Sequence, residues 1–582
     1  MKKKYVVFIL ILAIFGTWSS CKNSFLDVKP AGSLSQDVLA TSQGCDALLV
    51  GAYHLLHGQP FGWGAATTNW VYGSLRGLEA NKGTNAADQP DINPIQGYNE
   101  SATNPYLNDD WRMLYEAVTR CNQTIVVADK ALGLGTITQE QHDSYLLQAK
   151  ALRGWYHFQA CRMFGNKVPY LDETTDPATV TNAVDISDMV IADLTVGTTL
   201  PMDMKQVGRF NSTVCEVLLG EAYMQLKHDY ATALTHFNIA KTGKAPNNHA
   251  IGLAPTYGEI FDIDNRNGVE SIYTVQYSVN DGSGGQNGGN GEVLNFPYGS
   301  GKPGTCCGFF QPTQSFVNSF RTSGGLPLLN DSYDTPAQMV KSDYGLQPSD
   351  PFTPDAGELD PRLDWAVGRR GIPYWDWGKV SGSDWIRDPT YAGPYNPKKQ
   401  VYKKSQEGIW TEVGNWTSGW TANGYRMIRY ADLVLMIAEC QIEAGGAANL
   451  DAARVNINLI RARAANPAGF VMDGAVPAAN YVINQYAGGG VYPFDSQANA
   501  QIALRMERKL ELGQEGHRYF DFNRWGNTVA ELQRIMTYEK DMPWGVRLYG
   551  TNPVAQIGPE DVTYPIPQRQ LDLSNGKLTQ NR

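Results

Sequence analysis

The chain has 582 residues, of which 18% are charged and 42% hydrophobic, an ordinary balance for a globular protein that can bury a sizeable core. Its formal net charge of -10 comes without a basic stretch long enough to neutralise a row of phosphates, which argues against nucleic acid as a partner. The negative charge disfavours strongly acidic polysaccharides only weakly, because local patches can oppose the net charge.

The amino terminus has the layout of a secretory signal. Lysines at positions 2–4 precede an apolar run at 5–16, and two serines then lead to Cys21. The run is too short to span a bilayer, and no second stretch of spanning length follows. A cysteine after two small residues is similar to a bacterial lipobox, so we expect Cys21 to be lipidated and to anchor the mature chain. An ordinary signal peptide with a chance cysteine is the alternative, because Trp18 stands where lipoboxes usually have Leu.

The other seven cysteines are scattered over the chain: Cys45, Cys121, Cys161, Cys215, Cys306, Cys307 and Cys440. Such spacing is not that of a disulfide scaffold. The adjacent pair Cys306 and Cys307 is compatible with redox or metal chemistry, but no His cluster or C-x-x-C motif accompanies it. We therefore predict that both are thiols, either buried or in a loop.

Apolar residues recur at helical spacing in three segments before residue 270. The segments lie around Trp111, around Tyr145 and Tyr156, and from Val214 to Phe237. Consecutive helices of this kind form pairs of about 30 to 45 residues, as in tetratricopeptide-like arrays. The pattern predicts a mainly α-helical scaffold of helix pairs over about residues 40–270.

Residues 271–424 have a different composition and are predicted to form a loop-rich insertion with a few short strands. Residues 271–277 alternate like a half-buried strand. A Gly/Asn-rich run from Asp281 to Gly291 is typical of a loop, and no G-K-[ST] follows it, so a phosphate cradle is not expected. Seven of the fourteen tryptophans lie between Trp365 and Trp420, too many in loop-like sequence to serve only as helix core.

The helical pattern returns over about residues 425–540. A buried face from Tyr430 through Leu433 to Cys440 predicts one helix, which Gly445 and Gly446 end. A second helix is predicted from Asp451, with Val455, Leu459 and Ala462 along it.

Three carboxylates at Glu507, Glu511 and Glu515 are spaced by four and therefore share one helix face. Two carboxyls about 5 to 9.5 Å apart can cleave a glycoside, and this spacing does not exclude that distance. Helical carboxylates are far more often solvated or salt-bridged, so we favour a structural role. The chain has no H-E-x-x-H, no G-x-S-x-G and no Cys/His set with metal-ligand spacing.

The segment from Arg505 to Gly526 resembles the signature of the SusD/RagB nutrient-uptake lipoproteins. Six further segments match that family in the right order, at residues 24–30, 49–53, 153–158, 164–170, 429–439 and 564–581. Trp18 and Gly154 depart from the family pattern, which usually has Leu and Ala there, and these positions bear on export and local packing. The resemblance implies a signal peptide at 1–20 and a single domain at 21–582.

SusD-like proteins hold glycans at the surface of Bacteroidetes cells and pass them, uncut, to a TonB-dependent SusC-like transporter. The resemblance therefore implies a lipid-anchored outer-membrane protein with no catalytic residue and no cofactor. Whether calcium supports a loop stays open, since the Asp-rich turns lack an EF-hand pattern. The family also implies that Glu507, Glu515, Arg518, Asp521, Arg524 and Trp525 form a buried network. An extracellular glycoside hydrolase or lyase, and a helical-repeat protein that binds peptide or protein cargo, are the alternatives.

A glycan-binding surface needs rigid aromatic planes for stacking and a few polar groups at their edge. The resemblance places such a surface in an early insertion, with Asn81, Lys82, Asn85 and Asp88, and in the middle segment. The candidate glycan-binding residues are Trp70, Tyr98, Tyr298, Trp375 and Trp377. For each of them the alternative is that the ring packs a loop onto the scaffold, which is the role assigned to Trp365.

Overall fold

The structure is a computed structural model that describes residues 36–414 and 416–582. Cys21, the signal at 1–20 and the family-like segment at 24–30 lie outside the described residues. Their roles therefore stay predictions, as does the division into a signal and one domain. None of the helices within the described ranges is both long and apolar enough to cross a membrane.

Helices, with 3-10 and π turns included, hold 44% of the described residues and strands 8%, so the prediction of a mainly α-helical, tetratricopeptide-like protein is confirmed. The helices before the middle insertion are α1 Gln36–Leu39, α2 Ser42–His54, α3 Ile92–Gln96, α4 Pro105–Gly133, α5 Gln139–Phe164, α6 Ser187–Gly197, α7 Ser212–Ala222 and α8 Tyr230–Lys241. The later helices are α9 Gln314–Asn318, α10 Leu363–Ala366, α11 Tyr430–Ala444, α12 Ala447–Ala464, α13 Gln497–Leu512, α14 Arg518–Trp525, α15 Thr528–Glu539, α16 Gly545–Tyr549 and α17 Gln568–Leu573.

The long helices pack on their neighbours in sequence: α4 on α5, α5 on α6, α7 on α8, and α11 on α12. Local chemistry sets where they begin. Asn104 caps α4 ahead of Pro105, whose fixed φ suits the first helical position. Thr138 and Gln141 form a capping box that starts α5. Helix α11 also packs against α8 and α13, so it joins the early and late parts of the scaffold.

Helix α12 differs from its prediction in its start and in its buried face. It begins at Ala447, four residues before Asp451. Val455 and Leu459 are 47% and 45% exposed, whereas Ile457 and Ile460 are buried in the core. The buried face also carries Asn456, Asn458, Arg461 and Arg463. Because these polar residues enter the core, apolar spacing alone selects the wrong face of the helix.

The described strands pair as short antiparallel hairpins or bridges between distant segments. They are β1 Ala80–Gly83, β2 Ser271–Val275, β3 Phe309–Pro312, β4 Thr322–Ser323, β5 Leu326–Pro327, β6 Val367–Gly368, β7 Asn396–Pro397, β8 Thr411–Glu412, β9 Trp420–Thr421, β10 Tyr425–Arg429, β11 Met472–Asp473 and β12 Val476–Pro477. The strand predicted at 271–277 is found at 271–275, where it is buried throughout rather than half-buried, and it pairs with β10 at the start of α11. Strand β1 pairs with β3, with Gly83 opposite Phe309. This pairing joins the early insertion to the middle one.

Candidate functional site

The two regions that the sequence singles out for ligand binding meet at the β1–β3 pair. Just before β3, the amide of Gly308 donates to the carbonyl of Phe296 at 2.8 Å, and the amide of Gly299 donates to the carbonyl of Thr305 at 3.1 Å. These bonds fold residues 294–308 into a narrow hairpin-like loop. Tyr298 lies on one arm of this loop and is half-buried.

Arg387 joins Tyr298 to the early insertion. Its guanidinium carbon lies 5.3 Å from the Tyr298 ring centroid, an approach that a cation and an aromatic face favour. Its Nη1 donates to Thr84 Oγ1 at 3.0 Å and also to the carboxylate of Asp88. The side chains of Arg387 and Asp88 are 30% and 26% exposed. We call Tyr298, Arg387, Asp88 and Thr84 the Tyr298 site: an aromatic ring with a guanidinium over one face, and a carboxylate and a hydroxyl bonded to that guanidinium.

Lys82 and Asn85 shape the loop beside this site rather than face outward. The Nζ of Lys82 donates to the carbonyls of Asn85 at 2.9 Å and Asp88 at 2.7 Å. Burial lowers the pKa of Lys82 to about 8, against the opposing effect of Asp88. The Asn85 side chain accepts from the amides of Ala87 and Asp88. These bonds hold Asp88 within reach of Arg387.

The prediction that Cys306 and Cys307 are free thiols is wrong, because the two residues form a disulfide. It lies on the arm of the 294–308 loop opposite Tyr298. Adjacent cysteines carry no spacing signal for pairing, since only the local backbone decides whether their sulfurs can meet. Disulfides persist in oxidising compartments, which agrees with the predicted export. The free cysteines of the described chain are Cys45, Cys121, Cys161, Cys215 and Cys440, all of them buried.

Trp70 and Tyr98 are 2% and 5% exposed. The Trp70 ring packs edge-on against Phe309 and Phe310, and its Nε1 donates to the carbonyl of Trp63 at 2.9 Å. The Tyr98 hydroxyl donates to the carbonyl of Arg76, whose guanidinium lies 4.1 Å from the ring centroid. Both rings therefore pack inside the protein, and Trp70 packs against the strand that follows the Tyr298 loop.

Trp375 and Trp377 lie together on the turn at 373–379 and are half-buried. Trp375 packs against Trp365 with ring centroids 4.9 Å apart, and Trp377 Nε1 donates to the carbonyl of Tyr402 at 2.9 Å. Trp365 itself donates to the carbonyl of Gly469 at 2.7 Å, which agrees with its assigned packing role.

Trp385 connects this turn with Tyr298. Its carbonyl accepts from the Tyr298 amide at 3.0 Å, and its ring packs on that of Tyr374 at 5.2 Å. The buried Trp385 therefore links the loop that carries Tyr298 to the turn that carries Trp375 and Trp377.

A third aromatic group, Trp63, Trp416 and Trp420, was not singled out from the sequence. Each pair of these rings has centroids 5.9 Å apart, and Trp416 is 43% exposed. The glycine run packs its backbone on Trp420, since a Cβ on Gly285 would lie 2.8 Å from the ring. The density of tryptophans before residue 420 was the available signal, but exposure is decided by the β8–β9 pairing.

The carboxylates of the C-terminal signature are buried: Glu507 and Glu511 are 0% exposed and Glu515 is 3% exposed. Glu511 accepts from Arg362 at 3.1 Å and Arg429 at 2.7 Å. The network that encloses them pairs cations with carboxylates: Arg362, Lys399, Arg429, Arg461 and Arg463 with Glu270, Asp360, Glu507, Glu511 and Glu515. A glycan cannot reach carboxylates in this position, so the structural role predicted for them is confirmed.

Asp521, Arg524 and Trp525 belong to a second group of contacts, whereas the buried Arg518 donates to the carbonyl of Arg505 at 3.1 Å. Arg508 contacts Asp521 at 2.9 Å and Asp432 at 2.7 Å. Arg524 contacts Glu439 at 2.8 Å, and Trp525 Nε1 donates to the same carboxylate at 2.9 Å. Within residues 36–414 and 416–582, no group of three or more His, Cys, Asp or Glu side chains is placed to hold a metal ion.

Acid is expected to remove the stabilisation contributed by Glu515. Burial by itself would raise its pKa, but Arg429 and Lys399 outweigh burial and lower the pKa to about 2. A carboxylate with a lowered folded-state pKa stabilises the protein above its unfolded pKa of about 4.3, and this contribution is lost as pH falls toward about 2. The free energy of unfolding is measured in urea for the parent protein and for Glu515→Gln at pH 5 and at pH 2. The advantage of the parent protein over the variant should be roughly 2–4 kcal/mol smaller at pH 2 than at pH 5. A difference that does not change with pH would contradict this.

The SusD family model matches residues 269–582. SusD-like protein P25 of Formosa agariphila is 22% identical over 98% of this chain and 96% of its own length. A SusD superfamily protein from Bacteroides vulgatus superposes with a TM-score of 0.65 at 19% identity, covering 93% of this chain and 98% of that one. Surface glycan-binding protein A from Bacteroides thetaiotaomicron, solved in complex with laminarihexaose, gives 0.61 at 21% identity, covering 93% and 99%. The chain belongs to the SusD family.

Proposed function

We propose that this protein binds oligosaccharide or polysaccharide chains non-covalently and delivers them to a SusC-like, TonB-dependent transporter in the outer membrane. The Tyr298 site carries the proposal. It presents a half-buried aromatic ring with one face beneath the Arg387 guanidinium, and this guanidinium and its partner Asp88 keep unused hydrogen-bonding capacity beside the ring. Sugars offer flat C–H faces and a rim of hydroxyls, which match these two kinds of group.

Trp375, Trp377 and Trp416 extend the aromatic surface in this proposal. A glycan longer than a few sugars can contact several rings at once, so weak individual contacts, on the order of μM to mM, combine. Trp70 and Tyr98 are assigned the supporting role that their burial indicates. Lipidation of Cys21 would hold the protein beside its transporter, where each buried methylene of an acyl chain adds about 0.8 kcal/mol.

Two solved relatives suggest which sugars to test first. One is described as a laminarin-binding SusD-like protein, and surface glycan-binding protein A was crystallised with laminarihexaose. At 18% and 21% identity they share the fold of this chain. Because stacking rings suit many linkages, the test uses a panel of glycans, and β-glucans are its first members.

The mature protein, beginning after Cys21, is expected to be retarded in native gels that contain one neutral polysaccharide, without release of reducing sugar. The panel includes laminarin, starch, xylan and mannan, with alginate and pectin as acidic members. Retardation alone supports capture and names the class of cargo. Release of sugar would contradict a pure binding role, and a lack of retardation throughout would favour peptide or protein cargo.

A further inference from the structure

The loop that presents Tyr298 contains a covalent bond with no role in the contacts described so far. Cys306 and Cys307 are joined by a disulfide, and two adjacent residues joined in this way enclose their shared peptide bond in a small ring. Rotation about the bonds of that ring is restricted relative to two free thiols. The oxidised loop therefore has fewer conformations available than the reduced one.

The disulfide is tied to Tyr298 through the backbone. The bond from Gly308 to Phe296 and the bond from Gly299 to Thr305 enclose Tyr298 on one arm and both cysteines on the other. A Cβ on Gly308 would lie 3.4 Å from the Cβ of Tyr298 and 3.4 Å from that of Arg387. A shift of the backbone at 306–308 would therefore displace both Tyr298 and Arg387.

Thr305, next to the disulfide, has a φ of +60°. This left-handed conformation is costly for a β-branched residue and persists only where its surroundings hold it. The Thr305 side chain is exposed and its hydroxyl bonds only to the neighbouring carbonyl of Gly304 among the described contacts. The Thr305 amide donates to the carbonyl of Lys302 at 3.2 Å and its carbonyl accepts from Gly299, and the adjacent covalent ring adds a further constraint on this conformation.

We propose that the Cys306–Cys307 disulfide positions Tyr298 for its ligand, so that glycan affinity depends on the redox state of this pair. This inference rests on the proposed function and adds a positioning element to its site. A dithiol reductant breaks the bond by giving one hydrogen atom to each sulfur and becoming a cyclic disulfide itself. In the reduced protein, Tyr298 must be ordered when the glycan binds, and that ordering weakens the affinity.

The probes are laminarihexaose, maltohexaose, cellohexaose and xylohexaose, titrated calorimetrically into the oxidised mature protein. The hexasaccharide that binds most tightly is then titrated after reduction with dithiothreitol, with the thiols counted by mass spectrometry. Because the other described cysteines are free, reduction changes this bond alone. The Kd should rise about tenfold, equivalent to about 1.4 kcal/mol, while the thermal unfolding midpoint stays within a few degrees.

Two variants separate positioning of Tyr298 from a general loss of structure. Cys306→Ser/Cys307→Ser should bind as weakly as the reduced protein and should not respond to dithiothreitol. In Tyr298→Ala, reduction should cause a loss of no more than about twofold, because the disulfide acts mainly through the missing ring and only secondarily through Arg387. By linkage, saturating hexasaccharide should make the disulfide harder to reduce by the same factor.

Equal affinity before and after verified reduction would overturn the positioning role. So would a further tenfold loss when Tyr298→Ala is reduced. In either case the proposed function stands if Tyr298→Ala itself weakens binding. Failure of all four hexasaccharides to bind in both redox states would overturn the assignment of the site and this inference with it.

Discussion

Replacing Arg429 by alanine is expected to lower the free energy of unfolding by about 3–5 kcal/mol. Its guanidinium, 1% exposed, donates to Glu270 at 2.8 Å, to Glu511 at 2.7 Å and to Glu515 at 2.7 Å. Removing it leaves carboxylates buried without their shared cation, and the cost of an uncompensated buried charge exceeds the worth of the original pairs. The effect should be seen in urea denaturation followed by both fluorescence and circular dichroism.

Arg112→Ala is the matched control for this prediction. The Arg112 side chain is 51% exposed and contacts Asp109 at 3.4 Å, so its removal should change stability by no more than about 0.5 kcal/mol. If Arg429→Ala does not fold, Glu515→Gln removes one partner and retains the cation, and it should show a smaller loss. Equal stability of Arg429→Ala and Arg112→Ala would show that the network contributes little.

Replacing Tyr298 by alanine is expected to raise the Kd for the bound glycan about 10- to 30-fold. Truncation of a central aromatic anchor costs about 2 kcal/mol, and each 1.4 kcal/mol is a factor of ten. Arg387→Ala should weaken binding in the same direction, because it removes a hydrogen-bond donor beside Tyr298 and the partner of Asp88. Calorimetric titration with the polysaccharide or hexasaccharide selected by the panel measures both effects.

Tyr492→Ala provides the comparison, since Tyr492 is 58% exposed and lies outside the two insertions. It should bind like the parent protein. Tyr298→Phe keeps the ring and should retain most of the affinity if stacking dominates. A Tyr298→Ala protein that is folded and binds as tightly as Tyr492→Ala would move the binding surface to the tryptophan groups.

Periodicity predicted the helices well where the buried face is apolar, as around Tyr145 and Tyr156 in α5. It failed in α12, because Arg461 and Arg463 enter the core to meet carboxylates that lie elsewhere in the chain. Such pairings depend on the folded arrangement and leave no local pattern.

The candidate site was predicted only in part. Composition and the family resemblance indicated two regions, and the structure joins Tyr298 of one to Asp88 of the other through Arg387. The residue that joins them, Arg387, lies about 300 positions after Asp88 and has no motif of its own. Trp70 and Tyr98 were chosen for their residue type, but ring type does not reveal which side of a loop faces the core.

The buried charge network also bears on how cargo specificity can change. Its members come from helices α12 and α13, from neighbouring segments that carry Glu270, Arg429 and Glu515, and from the middle insertion, which supplies Asp360, Arg362 and Lys399. An insertion transplanted from a relative would therefore dock on the same scaffold only if it brought a carboxylate and two cations to these three places. The loop that carries Tyr298 supplies no member of this network, so its sequence is free of that requirement. The helical scaffold can therefore stay constant while the loops proposed to bind ligand change in sequence.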